Sequence, residues 1–156
     1  MTVADVHRLV ALGLLEAEGI PKGTPSLGAL CAAGLLEGGL SVAADVRPDE
    51  LLGPLCQRIG AERLRVLDAR TAPPELQVRL GEREERWPVP DVQALVSALN
   101  RSYRAAPKVR AVATLGDFDD ARQLWCIPKS ALAALLREGL LKEAENLAEL
   151  RGLAAD

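Results

Sequence analysis

Three carboxylates stand within four positions of the chain, at Asp117, Asp119 and Asp120. Carboxylates grouped in this way can bind a divalent cation, or can act as acid and base in catalysis. Asp is also favoured in tight turns, because it tolerates a left-handed backbone and its side chain accepts hydrogen bonds from nearby amides. Apolar runs typical of strands lie on both sides of the cluster. We therefore predict an exposed hairpin turn, with a divalent-metal enzyme that uses these three side chains as the alternative.

The phrase DFDD (117–120) after an apolar run resembles the first motif of the haloacid-dehalogenase phosphatases. That resemblance implies a nucleophilic role for Asp117 and a general-acid role for Asp119. The chain departs from the motif at Gly116, which separates the strand from it, and at Ala121, where the family has Thr or Val. The motif opens that fold, whereas only 36 residues follow the cluster here. We therefore assign no catalytic residue.

The other residues with reactive side chains are few. His7 is the single histidine, so a cluster of histidine ligands is not available. The three cysteines, Cys31, Cys56 and Cys126, lie in apolar runs without the C-x-x-C spacing of zinc or redox sites. We predict that they are buried, reduced thiols. We predict no cofactor and no metal, the three aspartates being the weak candidates for a metal site.

The composition is that of an ordinary globular protein. Of 156 residues, 49% are hydrophobic and 26% charged, which argues against disorder along the whole chain. The formal net charge of −3 argues against a nucleic-acid-binding protein, whose affinity comes largely from neutralising phosphates. The cations are mostly Arg, which we attribute to the codon bias of a GC-rich bacterial genome. The sequence shows no signal-peptide pattern and no long apolar run, so we predict a cytoplasmic protein without membrane association.

The first part of the chain, residues 1–61, reads as a helical region. The phrase Leu, three residues, Gly, Leu occurs at 9–14, 30–35 and 135–140. With Gly at C′, the two leucines fall at the positions that touch in a Schellman motif, so we predict three helix ends. Recognition helices of DNA-binding proteins often end in a similar phrase, so a winged-helix-like regulator using residues 2–46 is a second alternative.

The second part, residues 62–156, reads as β-β-β-α-β-β-α within one domain of 1–156. We predict a hairpin from 76–80 and 85–89, with one buried face, and a central strand at the strongly apolar 122–127. The predicted fold is α+β, with a largely antiparallel sheet of about five strands covered by helices. This order of elements resembles that of type III secretion chaperones and the related YbjN-like bacterial proteins over roughly residues 63–150.

These observations together predict a non-enzymatic protein that binds another protein, or itself as a homodimer. Chaperone-like, immunity-like and adaptor roles are all consistent with them. The contact surface is predicted to be the open face or an edge of the sheet. Trp87 and Trp125 are the predicted partner-binding residues, because large aromatic side chains often anchor interfaces.

Overall fold

The fold is α+β, as the sequence predicts. The computed structural model describes residues 1–61 and 63–154. Among these residues the helices are α1 Val3–Ala11, α2 Leu27–Ala32, α3 Pro48–Ile59, α4 Val92–Ser102, α5 Lys129–Arg137 and α6 Leu147–Ala154. The strands are β1 Gly39–Ala43, β2 Leu64–Thr71, β3 Pro74–Leu80, β4 Arg83–Pro88, β5 Ala111–Phe118 and β6 Ala121–Ile127.

The strands form two antiparallel sheets of three, where a single sheet of about five was predicted. One sheet has the order β1-β6-β5 and the other β2-β3-β4. The additional strand is β1, which lies inside the region predicted to be helical. It pairs with β6, and Gly39 stands opposite Trp125. Since its partner is some eighty residues away along the chain, no local pattern marks β1 as a strand.

Glycine makes the close approach of β1 to β6 possible. The main-chain N–H of Cys126 donates to the carbonyl oxygen of Gly38 at 2.8 Å. A Cβ at position 38 would collide with the carbonyl oxygen of Cys126. Any larger residue at this point would therefore push β1 away from the sheet.

The central β1-β6-β5 sheet is covered on both faces, because its middle strand β6 alternates between two cores. Leu124 and Cys126 join a cluster with α3, α4 and the β2-β3-β4 sheet. Trp125 and Ile127 join a second cluster with α1, α2 and α5. A strand buried on both faces is continuously apolar, which confirms the central position predicted for 122–127.

The three predicted helix ends are all Schellman motifs. Gly13, Gly34 and Gly139 have φ values of 75°, 75° and 71°. In each case the N–H of the following leucine donates to the carbonyl five residues back, as from Leu14 to Leu9 at 3.0 Å. The motifs after α1 and α2 also bring their following segments together, since Leu15 and Leu36 form an antiparallel bridge. The segments that follow α1 and α2 are thereby held together, and β1, which follows α2, joins this region to the central sheet.

Candidate functional site

The acidic cluster forms the tip of the β5–β6 hairpin, as predicted. Phe118 pairs with Ala121, which leaves a turn of two residues. Those residues, Asp119 and Asp120, have φ values of 53° and 61°. Two consecutive left-handed residues are the mark of a type I′ turn, whose twist matches that of the strands it joins. The role of these aspartates in the backbone is therefore to close the hairpin.

The third carboxylate of the cluster belongs to the strand. The Oδ1 atom of Asp117 lies 3.7 Å from Nε of Arg122, its neighbour across the hairpin. All three aspartates are exposed to solvent. Among residues 1–61 and 63–154, no three His, Cys, Asp or Glu side chains form a group that could hold a metal ion. The role that the resemblance to phosphatases implies for Asp117 and Asp119 stays a prediction.

The two tryptophans, which we predicted to bind a partner, lie in the interior. Trp87 is 1% exposed and Trp125 is 0% exposed. The indole N–H of Trp125 donates to the carbonyl oxygen of Glu37 at 2.8 Å, and that of Trp87 donates to Oε1 of Glu85 at 3.0 Å. Both rings fill a core with their polar atoms satisfied. A partner could reach them only if the core opened.

The edge of the central sheet at β5 is closed by side chains. The main-chain N–H of Val112 donates to Oδ1 of Asn100 at 2.9 Å, and its carbonyl oxygen accepts from Nδ2 of Asn100 at 3.0 Å. The N–H of Thr114 donates to Oδ1 of Asn146 at 3.0 Å. The side chains of these two asparagines supply the hydrogen bonds that a neighbouring strand would make. They are the only two asparagines in the sequence.

The side-chain amides of Asn100 and Asn146 also form hydrogen bonds to one shared carboxylate. Nδ2 of Asn100 and Nδ2 of Asn146 each donate to Oε2 of Glu149 at 2.9 Å. Asn100 and Asn146 are 4% and 7% exposed. A buried polar network that is satisfied in this way holds its members in place. No local sequence pattern marks these two asparagines, because their hydrogen-bond partners in β5 lie 12 and 32 or more residues away along the chain.

The β2-β3-β4 sheet has an edge of a different kind. Strand β2 is the outer strand, and seven of its eight residues are exposed, only Leu64 being buried. Val66 is 48% exposed and Leu67 is 41% exposed. Val66 pairs with Val78, whose side chain is fully buried, so the apolar face of the sheet runs outward to the edge strand. An exposed edge with apolar side chains is a template for another strand.

The register of β2 has an irregularity at this point. Val66 pairs with Val78 and Asp68 pairs with Gln77, so Leu67 is an extra residue with no partner of its own. Such bulges bend the strand and change the direction of a side chain. Here the bulge places two large apolar residues side by side on the exposed strand.

The other two edges offer less to a strand. Strand β4 carries Pro88, which lacks an N–H, and its other exposed residues are charged. Strand β1 has five residues, and the carbonyl oxygen of Gly39 accepts from Nη1 of Arg58 at 2.8 Å. Among the described edges, β2 therefore presents the longest run of exposed backbone with large apolar side chains beside it.

The cysteines are buried free thiols, as predicted. Burial raises the pKa of the Cys56 thiol to about 11 and that of the Cys126 thiol to about 12. Burial also raises the pKa of the Cys31 thiol, whose Sγ donates to the carbonyl oxygens of Leu40 and Leu124. The nucleophilic form of cysteine is the thiolate, so these side chains are unreactive near neutral pH.

Within the described part of the chain, the helices are too short or too polar to cross a bilayer. Comparisons with models of known protein families, with curated proteins and with solved structures find no match for this chain. Its function therefore has to be inferred from the residues on its own surface.

Proposed function

We propose that the protein is a non-enzymatic protein-binding module that receives an extended segment of a partner protein along β2. The observation that carries this proposal is the exposure of Val66 and Leu67 on an eight-residue edge strand. An extended peptide that adds to a sheet edge gains main-chain hydrogen bonds, and pockets for alternate side chains give it specificity. The module would work in the cytoplasm in a chaperone-like, immunity-like or adaptor role, and its buried free thiols are consistent with a reducing compartment.

The contrast between β2 and β5 supports this assignment. The β5 edge is closed by two buried asparagines that bond its main chain. Such a closure prevents another strand from pairing with that edge. The β2 edge instead keeps two large apolar side chains in contact with water.

The chemistry of β2 favours one class of partner segment. Within β2 the cations are Arg65 and Arg70 and the one carboxylate is that of Asp68, whose Oδ2 lies 3.4 Å from Nε of Arg70. An antiparallel or parallel segment would place alternate residues over Val66 and the others over the arginines. We therefore expect a segment with strand-forming apolar residues at every second position and carboxylates between them.

A display selection from a library of random peptides tests the proposal with the whole protein as bait. We expect the enriched peptides to be apolar and acidic in alternation, and to slow hydrogen exchange at the amides of β2. Val66→Asp and Leu67→Asp change partly exposed side chains and should leave the fold intact, which circular dichroism checks. Each should weaken peptide binding by about tenfold, equivalent to about 1.4 kcal/mol.

The matched control is Val3→Asp, which introduces the same charge at a side chain that is 63% exposed on α1. That variant should bind the selected peptides as tightly as the unchanged protein. Peptides that bind both β2 variants with full affinity, or that protect amides elsewhere and not in β2, would show that the binding surface is not this edge.

A further inference from the structure

A second surface of the protein, between α5 and α6, concentrates positive charge around a groove. The groove has a volume of about 290 Å³ and is lined by the last turn of α5, the turn at Gly139 and the first residue of α6. Three cationic side chains line it, those of Arg137, Lys142 and Arg151. A groove of this size can hold a small organic molecule.

The positive charge of the groove is only partly neutralised by the protein: hydrogen bonds to Thr2 lower the pKa of the Asp5 carboxyl group, and the nearby charge of Lys142 contributes to the same shift. None of the three cations forms an ion pair with a carboxylate among the described residues. The one carboxylate that lines the groove, Glu138, accepts a hydrogen bond through Oε1 from Nε of Arg8 at 2.7 Å. Its charge is therefore already balanced by a side chain from α1. Arg137 and Arg151 remain available to an anion, and Lys142 adds a further positive charge beside them.

Local structure sets the positions of the cations. Leu147 and Arg151 are four residues apart, so they share one face of α6, the face toward the groove. The Lys142 side chain lies across Gly139, because a Cβ at that glycine would be 2.9 Å from Cε of Lys142. Arg137 occupies the last turn of α5. The turn at Gly139 thus brings three cationic side chains, which are not adjacent in the sequence, to the walls of one groove.

The helix ends beside the groove also favour an anion. The first residue of α6, Leu147, lines the groove, and the start of a helix carries partial positive charge. The opposite charge at the end of α5 is reduced, since the carbonyl oxygens of Leu135 and Leu136 accept hydrogen bonds from Leu140 and Gly139.

We propose that this groove binds a small organic phosphate. The phosphate lies among Arg137, Lys142 and Arg151, and the carbon skeleton rests against the partly buried side chains of Leu136 and Leu147. Arginine binds phosphate oxygens through paired hydrogen bonds, and lysine adds a point charge. This site is separate from the β2 edge and does not depend on the proposed partner segment.

Calorimetric titration with three probes at constant ionic strength tests the assignment. Phenyl phosphate should bind saturably at one site and more tightly than inorganic phosphate, which lacks the apolar part. Benzyl alcohol, which lacks the charge, should show no binding. Amide chemical shifts of Gly139 and Leu147 should move with the same saturation curve as the heat.

Arg137→Gln and Arg151→Gln should each weaken phenyl phosphate binding by roughly tenfold, the usual result of losing one charge-assisted hydrogen bond. The control is Arg86→Gln, which removes one exposed cation from β4 and should leave the affinity unchanged. Heat that does not saturate, or equal weakening in the control and the two groove variants, would overturn the proposal, because it would show attraction to the overall charge only. Binding of benzyl alcohol as tight as that of phenyl phosphate would also overturn it.

Discussion

Asn100 and Asn146 donate to one and the same atom, the carbonyl oxygen of Val112, at 3.0 and 2.9 Å. One asparagine comes from α4 and the other from the residue just before α6. Their shared acceptor lies on the edge strand of the central sheet. The side chains of these two asparagines thus connect α4 and the start of α6 to β5. They make hydrogen bonds that a neighbouring strand would otherwise make.

Replacing either asparagine should destabilise the protein measurably. Asn146→Ala leaves the buried N–H of Thr114 without its acceptor, and Asn100→Ala does the same to the N–H of Val112. We expect each variant to lose about 1–3 kcal/mol of unfolding free energy in urea. The double variant should lose less than the sum, because the two side chains share acceptors.

The control for the asparagine variants is Gln57→Ala, an exposed position on α3 that should change stability by less than about 0.5 kcal/mol. Losses in the asparagine variants as small as in this control would mean that water replaces the amides at the edge.

The helix-ending glycines should be intolerant of a side chain for conformational reasons alone. A Cβ at Gly13 or Gly34 would meet no atom within 4 Å, so no steric collision complicates the result. The positive φ should make Gly13→Ala and Gly34→Ala each less stable by about 1–2 kcal/mol. Gly152→Ala, inside α6 and equally free of neighbours, should be neutral or stabilising by up to about 1 kcal/mol. Thermal unfolding measures all three, and a loss at Gly152 equal to that at Gly13 would contradict this explanation.

The hairpin turn should become more stable when its residues suit its backbone better. The pair Asp119→Asn and Asp120→Gly gives the preferred sequence for a type I′ turn, and should stabilise the protein by about 1 kcal/mol. The same variant tests the metal-enzyme alternative, because it removes two of three candidate ligands. Mg²⁺ titration should give the same result before and after the change. Lower stability would contradict the turn assignment, and loss of a measurable Mg²⁺ affinity would favour the metal site.

The buried thiols should make stability fall at alkaline pH. An exposed thiol in the unfolded chain loses its proton near pH 9, whereas burial raises the pKa of Cys126 to about 12. Between these values the folded state holds more protons, so the unfolding free energy decreases as pH rises. Cys126→Ala should make this slope shallower by up to about 1.4 kcal/mol per pH unit. The control is Val112→Ala, which creates a cavity in the same core cluster. It should lower the unfolding free energy at every pH without changing the dependence of that energy on pH. An identical slope in the Cys126 variant would refute this account.

The hairpins and α4 were predictable because the residues that determine them are close together in the sequence. The alternation in 76–80 and 85–89 places Leu76 opposite Trp87, and α4 begins after Asp91, whose side chain accepts from the N–H of Ala94. A hairpin's register follows from its turn and its pattern. The same patterns could not show that the strands separate into two sheets, since that depends on which helices pack between them.

The burial of the two tryptophans could not be predicted from the sequence. A large aromatic side chain suits a core and an interface equally well, and only the packing of distant elements decides between them. Here α3 and α4 help to enclose Trp87, and α1 and α2 help to enclose Trp125. The exposed large apolar residues of β2 are instead Val66 and Leu67, which the sequence does not distinguish from core residues of a strand.

By itself, the sequence determined the features that depend on neighbours within about six positions. These are the capping of α1 by Thr2 and Asp5, the Schellman ends at three glycines, and the turn at Asp119 and Asp120. Only the tertiary structure decided that Gly39–Ala43 is a strand, that Asn100 meets Asn146, and that β2 keeps an open edge. The physical reason is that local backbone geometry depends on the steric and hydrogen-bonding choices of adjacent residues. Strand pairing and exposure depend instead on which remote apolar surfaces exclude water together.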